Sequence, residues 1–545
     1  MAKAALGRGS FDVARRLIKP LLKEKATEGS VWLLASGIEM QDKKFEQAKL
    51  YVEKALETQP ENPVYLYNHA TILAQTGDKT GAVEIFKKAL AIKPDMYQAI
   101  NNLGNTLRDL GRVQEAIECY KQLFEHDPRN FKIQSQILLS MQFFCFDNHD
   151  ELYEMHCELA RKIEARIPPS SPTRRPTRSE AGRKIRLGYL SPRFSREIVC
   201  HFFKPIFDNH DRSRFELYLY SATPRPDDMT DYFARGADNW ADIRQLSDTA
   251  LCQRIVDDKI DILIDLAGHA PENRITATAR KPAPVQVSML DYFDTTGIEA
   301  IDYYVTDSFS TPAGGKQKFS EKLIILDQPR LVYEPPAYAP PVRVRKPNDD
   351  EIVFGSFNRH QKIIPEVVET WSSLLREVGN SRLLLKGASF AQSEIQSIYL
   401  EQFRAHGVDP SRILFRGKSR HEQLLAEYGD IDIALDTFPY NGGLTTLEAL
   451  WMGTPVITIE GERIISRQSA GILHSLGLPE FVAQSSKEFA AIGKYWSRNR
   501  KELNSLRLSL RDRMAASALT DGRTYTRALE SRLRDAWDLY LVRQG

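Results

Sequence analysis

The stretch IDIALDTFPYNGGLTTLEALWMGTP, residues 431–455, gathers the side chains best suited to chemistry. An apolar run ends in Asp436 and Thr437, a loop with Asn441, Gly442 and Gly443 follows, and Thr445 and Thr446 open a helical segment that carries Glu448. A helix start offers unpaired N–H groups and the positive end of the helix dipole, glycine permits close approach, and threonine adds hydroxyl donors. A diphosphate fits such a place. Glu448, one turn in, is placed to accept hydrogen bonds from ribose hydroxyls, as acidic residues do in dinucleotide sites. A plain strand, loop and threonine-capped helix would use the same residues. A second cluster, FGSFNRHQKI at residues 354–363, sets Arg359 and Lys362 after another apolar run, within reach of phosphate oxygens. A lone lysine there is ordinarily a surface residue. Two such clusters in one unit, with a second α/β unit facing it, point to a nucleotide-sugar site.

The elements that must position these residues are short apolar strands alternating with helical segments. IRLGYLS, FELYLYSA, IDILIDLAG, PVQVSML and YYVTD follow one another from Ile185, and EIVFGSFN, SRLLLKG, RILFRG, DIDIALDT and TPVITIEG follow the proline-rich break EPPAYAPPVRVRKP. That alternation predicts two parallel sheets covered by helices, with ligands at the carboxyl ends of the strands. Upstream the pattern is different. Pro60, Pro94 and Pro128 fall 34 residues apart, as do Ala14, Ala48, Ala82 and Ala116, the pair Gly77 and Gly111, and the bulky Ile18, Val52, Phe86 and Tyr120. A helical hairpin accounts for this period: glycine ends the first helix, alanine admits the second, a large residue fills the groove and proline stops the helix. Residues 129 to 165 read as one or two non-repeat helices that cap the stack, and IPPSSPTRRPTRSEAGRK as a linker whose arginines serve solvation.

Length and composition bound the rest. The 545 residues allow three or four domains, and 42% hydrophobic with 27% charged residues is ordinary globular composition. With 74 Lys+Arg against 72 Asp+Glu the net charge is +2, too little to make nucleic acid the expected partner. Cys119, Cys145, Cys157, Cys200 and Cys252 are odd in number and lack a CxxC, so reduced core thiols and a cytoplasmic location are expected. The N-terminus, MAKAALGRGSFDVARRLIKPLL, has no signal-peptide hydrophobic region, and the densest apolar stretch, Ile137 to Phe146, is too short to span a bilayer and reads as a buried helix.

Two resemblances attach to these motifs. NPVYLYNHATILAQTGDKTGAVEIFKKALAIKP resembles the tetratricopeptide repeat family, with looser first units in which Lys43 stands where glycine is usual. Such arrays bind extended peptides, and Asn68, Asn101, Asn102 and Asn105, taken to lie in the second helical layer, are the candidates for bonding a peptide backbone; solvated helix faces explain them equally well. LDTFPYNGGLTTLEALWMGTPVIT, SFNRHQKI, LIDLAGHAPENR and KPAPVQVSMLDYFDTTG resemble the protein O-linked N-acetylglucosamine transferase family and its SPINDLY branch. The resemblance implies an inverting, metal-independent GT-B glycosyltransferase acting on Ser or Thr of proteins. The one tempting DxD, Asp430-Ile431-Asp432, starts a buried strand rather than lying in a loop, so the diphosphate charge would fall to Lys362 and the helix start at Thr445 and Thr446.

Departures from the family pattern bear on the substrate. Glu197 stands where a histidine once proposed as base is usual, while His201 matches; both are kept as catalytic candidates beside Lys362. LDYFDTTG carries Asp291 and Asp294 for glycines and Phe293 for proline in a loop near the donor sugar. Arg359 replaces Gln or Asn, and Leu424 falls where a histidine stacks on the base, with His421 one turn earlier. Glu448 matches the SPINDLY branch, whose donor is GDP-fucose.

The expected fold is therefore α plus α/β: tetratricopeptide repeats over 1–128, capping helices and linker over 129–183, GT-B lobes of Rossmann type over 184–340 and 341–520, and a C-terminal helix over 521–545. UDP-N-acetylglucosamine is the first expected donor, with GDP-fucose or another nucleotide sugar as the alternative. No cofactor or metal is expected. The expected partner is a protein or peptide acceptor, without nucleic acid or membrane, and homodimerisation is left open. The competing class is a non-catalytic repeat scaffold.

Overall fold

A computed structural model describes residues 10–24, 28–126, 130–143, 149–168, 173–174, 176, 182–343 and 351–543. Two compact units emerge, one built on residues 1–133 with 392–398, the other on 134–391 with 399–545.

In the first unit the helix Phe11–Glu24 is followed by the hairpin helices Gly29–Gln41 and Phe45–Thr58, Pro63–Thr76 and Lys79–Ile92, and Tyr97–Asp109 and Val113–His126. The 34-residue register is a packing register: Ala14, Ala48, Ala82 and Ala116 are all fully buried, as are Val52, Phe86 and Tyr120. Asn62 caps one helix by accepting from the N–H groups of Val64 (3.0 Å) and Tyr65 (3.4 Å), with Pro63 in the first turn. Gly77 and Gly111 close their first helices with φ of +105° and +74°, and Lys43 takes φ of +59° at the corresponding place. The loose first units thus keep the turn and tolerate a side chain in a conformation that costs an L-residue about 1–2 kcal/mol. Pro128 and Cys145 lie outside the described residues, as does most of the linker.

The helices Phe131–Met141 and His149–Glu164, expected as a cap on the repeats, fall within the second unit from Gln134 onward. Both helices bury apolar residues, among them Leu138, Leu152 and Ile163, and polar pairs join them to the lobe. Ser135 Oγ meets His269 Nδ1 at 3.0 Å, His156 Nε2 meets the Tyr292 hydroxyl at 2.7 Å, and the Glu299 N–H donates to Glu164 at 2.8 Å. The partners lie in loops of the first α/β lobe, His269 and Tyr292 buried and Glu299 exposed. Ile137, Leu138 and Met141 are buried, as the apolar stretch there predicts.

The second unit contains a seven-stranded parallel sheet, β1 Ile185–Ser191, β2 Phe215–Ser221, β3 Asn239–Asp242, β4 Ile262–Asp265, β5 Val285–Ser288, β6 Tyr303–Asp307 and β7 Lys322–Leu326, in the order β3-β2-β1-β4-β5-β6-β7. A six-stranded parallel sheet follows, with β8 Ile352–Ser356, β9 Ser381–Lys386, β10 Ile413–Arg416, β11 Ile433–Leu435, β12 Val456–Ile459 and β13 Val482–Ala483 in the order β10-β9-β8-β11-β12-β13. Strands β4, β5 and β8 are buried at every residue, as apolar runs covered by helices on both faces must be. Strand order reverses between β1 and β4 and again between β8 and β11, so a crevice opens at the carboxyl ends of those pairs. The last helix, Gly522–Arg543, returns to the first lobe: Glu530 accepts from His210 Nδ1 and the Asp211 N–H, both at 2.8 Å, and the Tyr525 hydroxyl donates to the Arg330 carbonyl. Its Leu529, Leu533 and Trp537 are buried there. Cys119, Cys157, Cys200 and Cys252 are free thiols, the last two buried. Among the described residues no helix is long and apolar enough to cross a membrane.

Candidate active site

The two switch points bring four loops together. The loop after β1 supplies Arg193 and Glu197, and the helix Ile198–Asp208 that follows carries His201. The loop after β5 supplies Asp291 and Phe293, that after β8 supplies Asn358, Arg359 and Lys362, and that after β11 leads through Gly442 into the helix Leu444–Trp451. They surround a cavity of about 250 Å³ that takes in Asn358, Lys362 and Thr445, and an adjoining one of about 860 Å³ that takes in Glu197, His201, His421 and Glu448.

The smaller cavity has the character of an anion site. Lys362 donates to the Asn441 carbonyl at 2.8 Å and lies 3.9 Å from the Tyr440 ring centre. Burial pulls its ammonium down to about 7, helped by Arg359 and opposed by Asp436. Asp436, itself pushed up by burial, accepts from the Gly442 N–H (2.7 Å), Thr458 Oγ1 (2.8 Å) and Asn358 Nδ2 (3.3 Å), and so fixes the glycine loop to the sheet. The first intrahelical bond of Leu444–Trp451 is Leu447 N–H to the Gly443 carbonyl, which leaves the N–H groups of Leu444, Thr445 and Thr446 without helical partners. Gly442 is required by space: a Cβ there would stand 2.5 Å from Thr446 Oγ1 and 2.6 Å from Thr445 Oγ1.

Thr445 donates its hydroxyl to Asn358 Oδ1 at 3.1 Å and lines the cavity. Thr446 does not offer a ligand its hydroxyl as expected: the side chain is buried and bonds Ser469 Oγ at 2.7 Å, which in turn donates to the Gly442 carbonyl. Its contribution is a backbone N–H and the bracing of the loop. Glu448 is buried and accepts from His421 Nε2 at 2.7 Å, while the Tyr338 hydroxyl lies 2.7 Å from His421 Nδ1, so this acid and this histidine form one polar edge of the larger cavity. The His201 ring lies 5.7 Å from the His421 ring at a tilt of 47°, and burial together with His421 lowers it to about 4, leaving a neutral imidazole. Arg359 is exposed and lines both cavities.

Arg193, passed over in the sequence, is the centre of a charged group: it donates to Glu197 and holds Asp291 at 2.5 Å from its Nε. Phe293 and Tyr440 meet edge to face at 5.5 Å, with the Arg330 guanidinium 5.3 Å from the Phe293 ring centre. Arginine directly after a strand was the available signal for Arg193. Arg330 carried none, because it comes from the segment after β7, outside both motif clusters. Asp430 and Asp432 precede β11, at the opposite end of the sheet from Asp436, and are spent on Arg343 and Arg416, and on Arg500, Arg507 and the Val353 N–H.

In the repeat unit, Asn68 lies on Pro63–Thr76 and Asn101, Asn102 and Asn105 on Tyr97–Asp109. These are the first helices of their hairpins, not the second layer, because the alanine register occupies the second helices. Asn68 donates to the Val64 carbonyl, Asn101 to Asn102, Asn102 to Tyr67 and Thr71, and Asn105 accepts from Tyr120, so each amide already holds a bond within the repeats.

A family model, glycosyl transferase family 41, matches residues 156–334 and 342–529, which contain every loop of the cleft. The chain belongs to glycosyl transferase family 41. A second model, anaphase-promoting complex, cyclosome, subunit 3, matches residues 41–123, within the helical repeats. Among relatives of family 41, SPINDLY of Oryza sativa subsp. japonica, named as a UDP-N-acetylglucosamine–peptide N-acetylglucosaminyltransferase, is 32% identical over 431 residues, 78% of this chain and 46% of that protein. SEC of Arabidopsis thaliana, named for the same activity, is 29% identical over 405 residues, 71% of this chain and 41% of that protein. The chain spans less than half the length of these curated relatives. A solved structure of a mutant O-GlcNAc transferase from Thermobaculum terrenum superposes with a TM-score of 0.84 and 30% identity, covering 95% of this chain and 98% of that one. The expected architecture, helical repeats followed by two parallel-sheet lobes, is thus borne out, as is the family.

Proposed function

We propose that the chain is an inverting protein O-glycosyltransferase that moves a sugar from a nucleoside diphosphate to Ser or Thr of a protein acceptor without a metal ion. The observation that carries the reading is Lys362, aimed by the Asn441 carbonyl and the Tyr440 ring into a cavity that Thr445 and Arg359 also line, at the start of the Leu444–Trp451 helix. In such a transfer the acceptor oxygen attacks the anomeric carbon while the bond from that carbon to the phosphate oxygen breaks. The electron pair goes to the diphosphate, whose growing charge is met by the Lys362 ammonium, the Arg359 guanidinium and the free N–H groups of the helix start. Donors fixed in place before the charge develops cost no reorganisation, and removing one costs about 3–4 kcal/mol. These groups supply the positive charge a cation otherwise would. Relatives named as UDP-N-acetylglucosamine–peptide N-acetylglucosaminyltransferases make UDP-N-acetylglucosamine the first donor to test.

A second donor reading is favoured by one observation. Asp291 and Phe293 project from the β5 loop into the cavities, Asp291 on the border of both. A carboxylate and an aromatic ring there suit a sugar other than N-acetylglucosamine, with GDP-fucose as the leading alternative. The repeat unit serves as the acceptor-binding surface in this proposal. Lys362→Ala is expected to retain the fold, read by thermal unfolding, and to lose transfer by at least about 100-fold. Turnover like that of the unsubstituted chain in this variant overturns the assignment.

A further inference from the structure

The two cavities share Ile198, Asp291, Arg359, Tyr440 and Leu444. If the smaller holds the diphosphate, this border is where an acceptor hydroxyl meets the anomeric carbon, and an inverting transfer needs a proton acceptor at that point. Ile198 and Leu444 have no proton chemistry, and the guanidinium of Arg359 offers only hydrogen-bond donors. Tyr440 is pushed up to about 12 by burial, so it too keeps its proton. We propose that Asp291 is the general base of the transfer, and that Arg193 and Glu197 are its positioning residues; this rests on the transferase reading of the cleft.

The geometry supports the assignment from both sides. The Asp291 backbone N–H donates to the Leu266 carbonyl at 3.2 Å, and Arg193 Nε stands 2.5 Å from Oδ2, so main chain and side chain are both held. Arg193 is held in turn by Glu197, which is 48% exposed and committed to that arginine. Facing the Asp291 carboxylate are Arg193 and Glu197 from the β1 loop, Asp265 from the end of β4, Arg359 from the β8 loop and Tyr440 from the β11 loop. Burial, with Glu197, lifts the carboxyl to about 6 against the pull of Arg193 and Arg359, so it is ionised at neutral pH yet more basic than an ordinary aspartate. His201, at about 4, is the weaker base and lines the larger cavity. In the step itself the hydroxyl O–H bond breaks, its proton goes to an Asp291 oxygen, the oxygen–carbon bond forms, and the diphosphate leaves with the electron pair of the broken bond. Asp291 then returns the proton to water.

The test uses the full chain with UDP-N-acetylglucosamine and GDP-fucose, a Ser/Thr peptide library as acceptor, and UDP and GDP as binding probes. Asp291→Asn is expected to lower kcat by about 100-fold or more while the nucleotide Kd changes less than about threefold, and the acid limb of kcat/KM near pH 6 disappears. Glu197→Gln, which removes a charge that raises Asp291, is expected to move that limb to lower pH and to lower kcat by less than Asp291→Asn does. Thermal unfolding checks the fold, with Asp291→Gly as the second variant if the amide fails. Turnover within about threefold of the unsubstituted chain with the acid limb intact overturns the base, and so does a loss of nucleotide affinity as large as the loss in kcat. An unsubstituted chain that binds nucleotide but transfers no sugar overturns the transferase reading and the base with it.

Discussion

Lys362 is the residue on which the proposed chemistry turns, and its proton makes it testable apart from turnover. Burial holds it near 7 in the open cleft, whereas a bound diphosphate supplies the negative partner that restores it toward the ordinary lysine value of about 10.4. The liganded state therefore holds the extra proton between those values. UDP or GDP binding is expected to take up a proton above pH 7 and to weaken as pH rises through 7, read by calorimetry in buffers of different ionisation enthalpy; Lys362→Met should erase both effects. The two threonines separate in the same way. Thr445→Val should weaken nucleotide binding by about 0.5–1.5 kcal/mol, whereas Thr446→Val, which removes the partner of Ser469, should lower thermal stability by about 1 kcal/mol with nucleotide affinity little changed. Much of this cleft was legible beforehand, because Lys362, Arg359, Gly442, Thr445 and Glu448 sit in two short strand-end motifs. What a motif does not encode is which way a hydroxyl turns, so in sequence Thr446 reads like its neighbour although its hydroxyl meets Ser469. Asp291 was placed near the sugar, but its ion pair with Arg193 joins segments about a hundred residues apart and has no local signature.

The elements were legible in proportion to their burial. All ten strands expected from apolar runs are present, and the three that were passed over, β3, β7 and β13, are edge strands. An edge needs apolar residues on less of its surface, and β3 reads NWAD while β13 has two residues. The helices at 131–164 were legible as helices but not as part of the α/β unit: Leu152, Leu159 and Ile163 are buried beside polar pairs, Ser135 with His269 and His156 with Tyr292, whose partners lie more than 130 residues away and leave no local signature. The repeats show the reverse case, where the backbone is more regular than the sequence. Lys43 holds the left-handed turn that Gly77 and Gly111 hold elsewhere. Lys43→Gly is expected to stabilise the chain by about 0.5–1 kcal/mol, the side-chain penalty relieved less the entropy lost, measured as the shift in unfolding free energy in denaturant.

At the scale of the whole molecule, a net charge of +2 gave no hint of an anionic ligand, because the positive groups that matter are few and local. Arg193 and Arg359, with Lys362 and the helix start, concentrate them at the switch points of two sheets, against Glu197, Asp291 and Glu448 on the other walls. Two parallel sheets with the same strand order explain why that concentration is there: each presents the carboxyl ends of its central strands to the same crevice. The helix Gly522–Arg543 ties the end of the chain back to the first lobe through His210 and Glu530. The most direct test of the account is intact-mass analysis of a Ser/Thr peptide acceptor incubated with each of several nucleotide sugars and either the unsubstituted chain or Lys362→Ala. The account predicts one discrete sugar mass added from one donor by the unsubstituted chain and none by the variant. An equal mass shift with Lys362→Ala, or no shift from any donor with the unsubstituted chain, would contradict it.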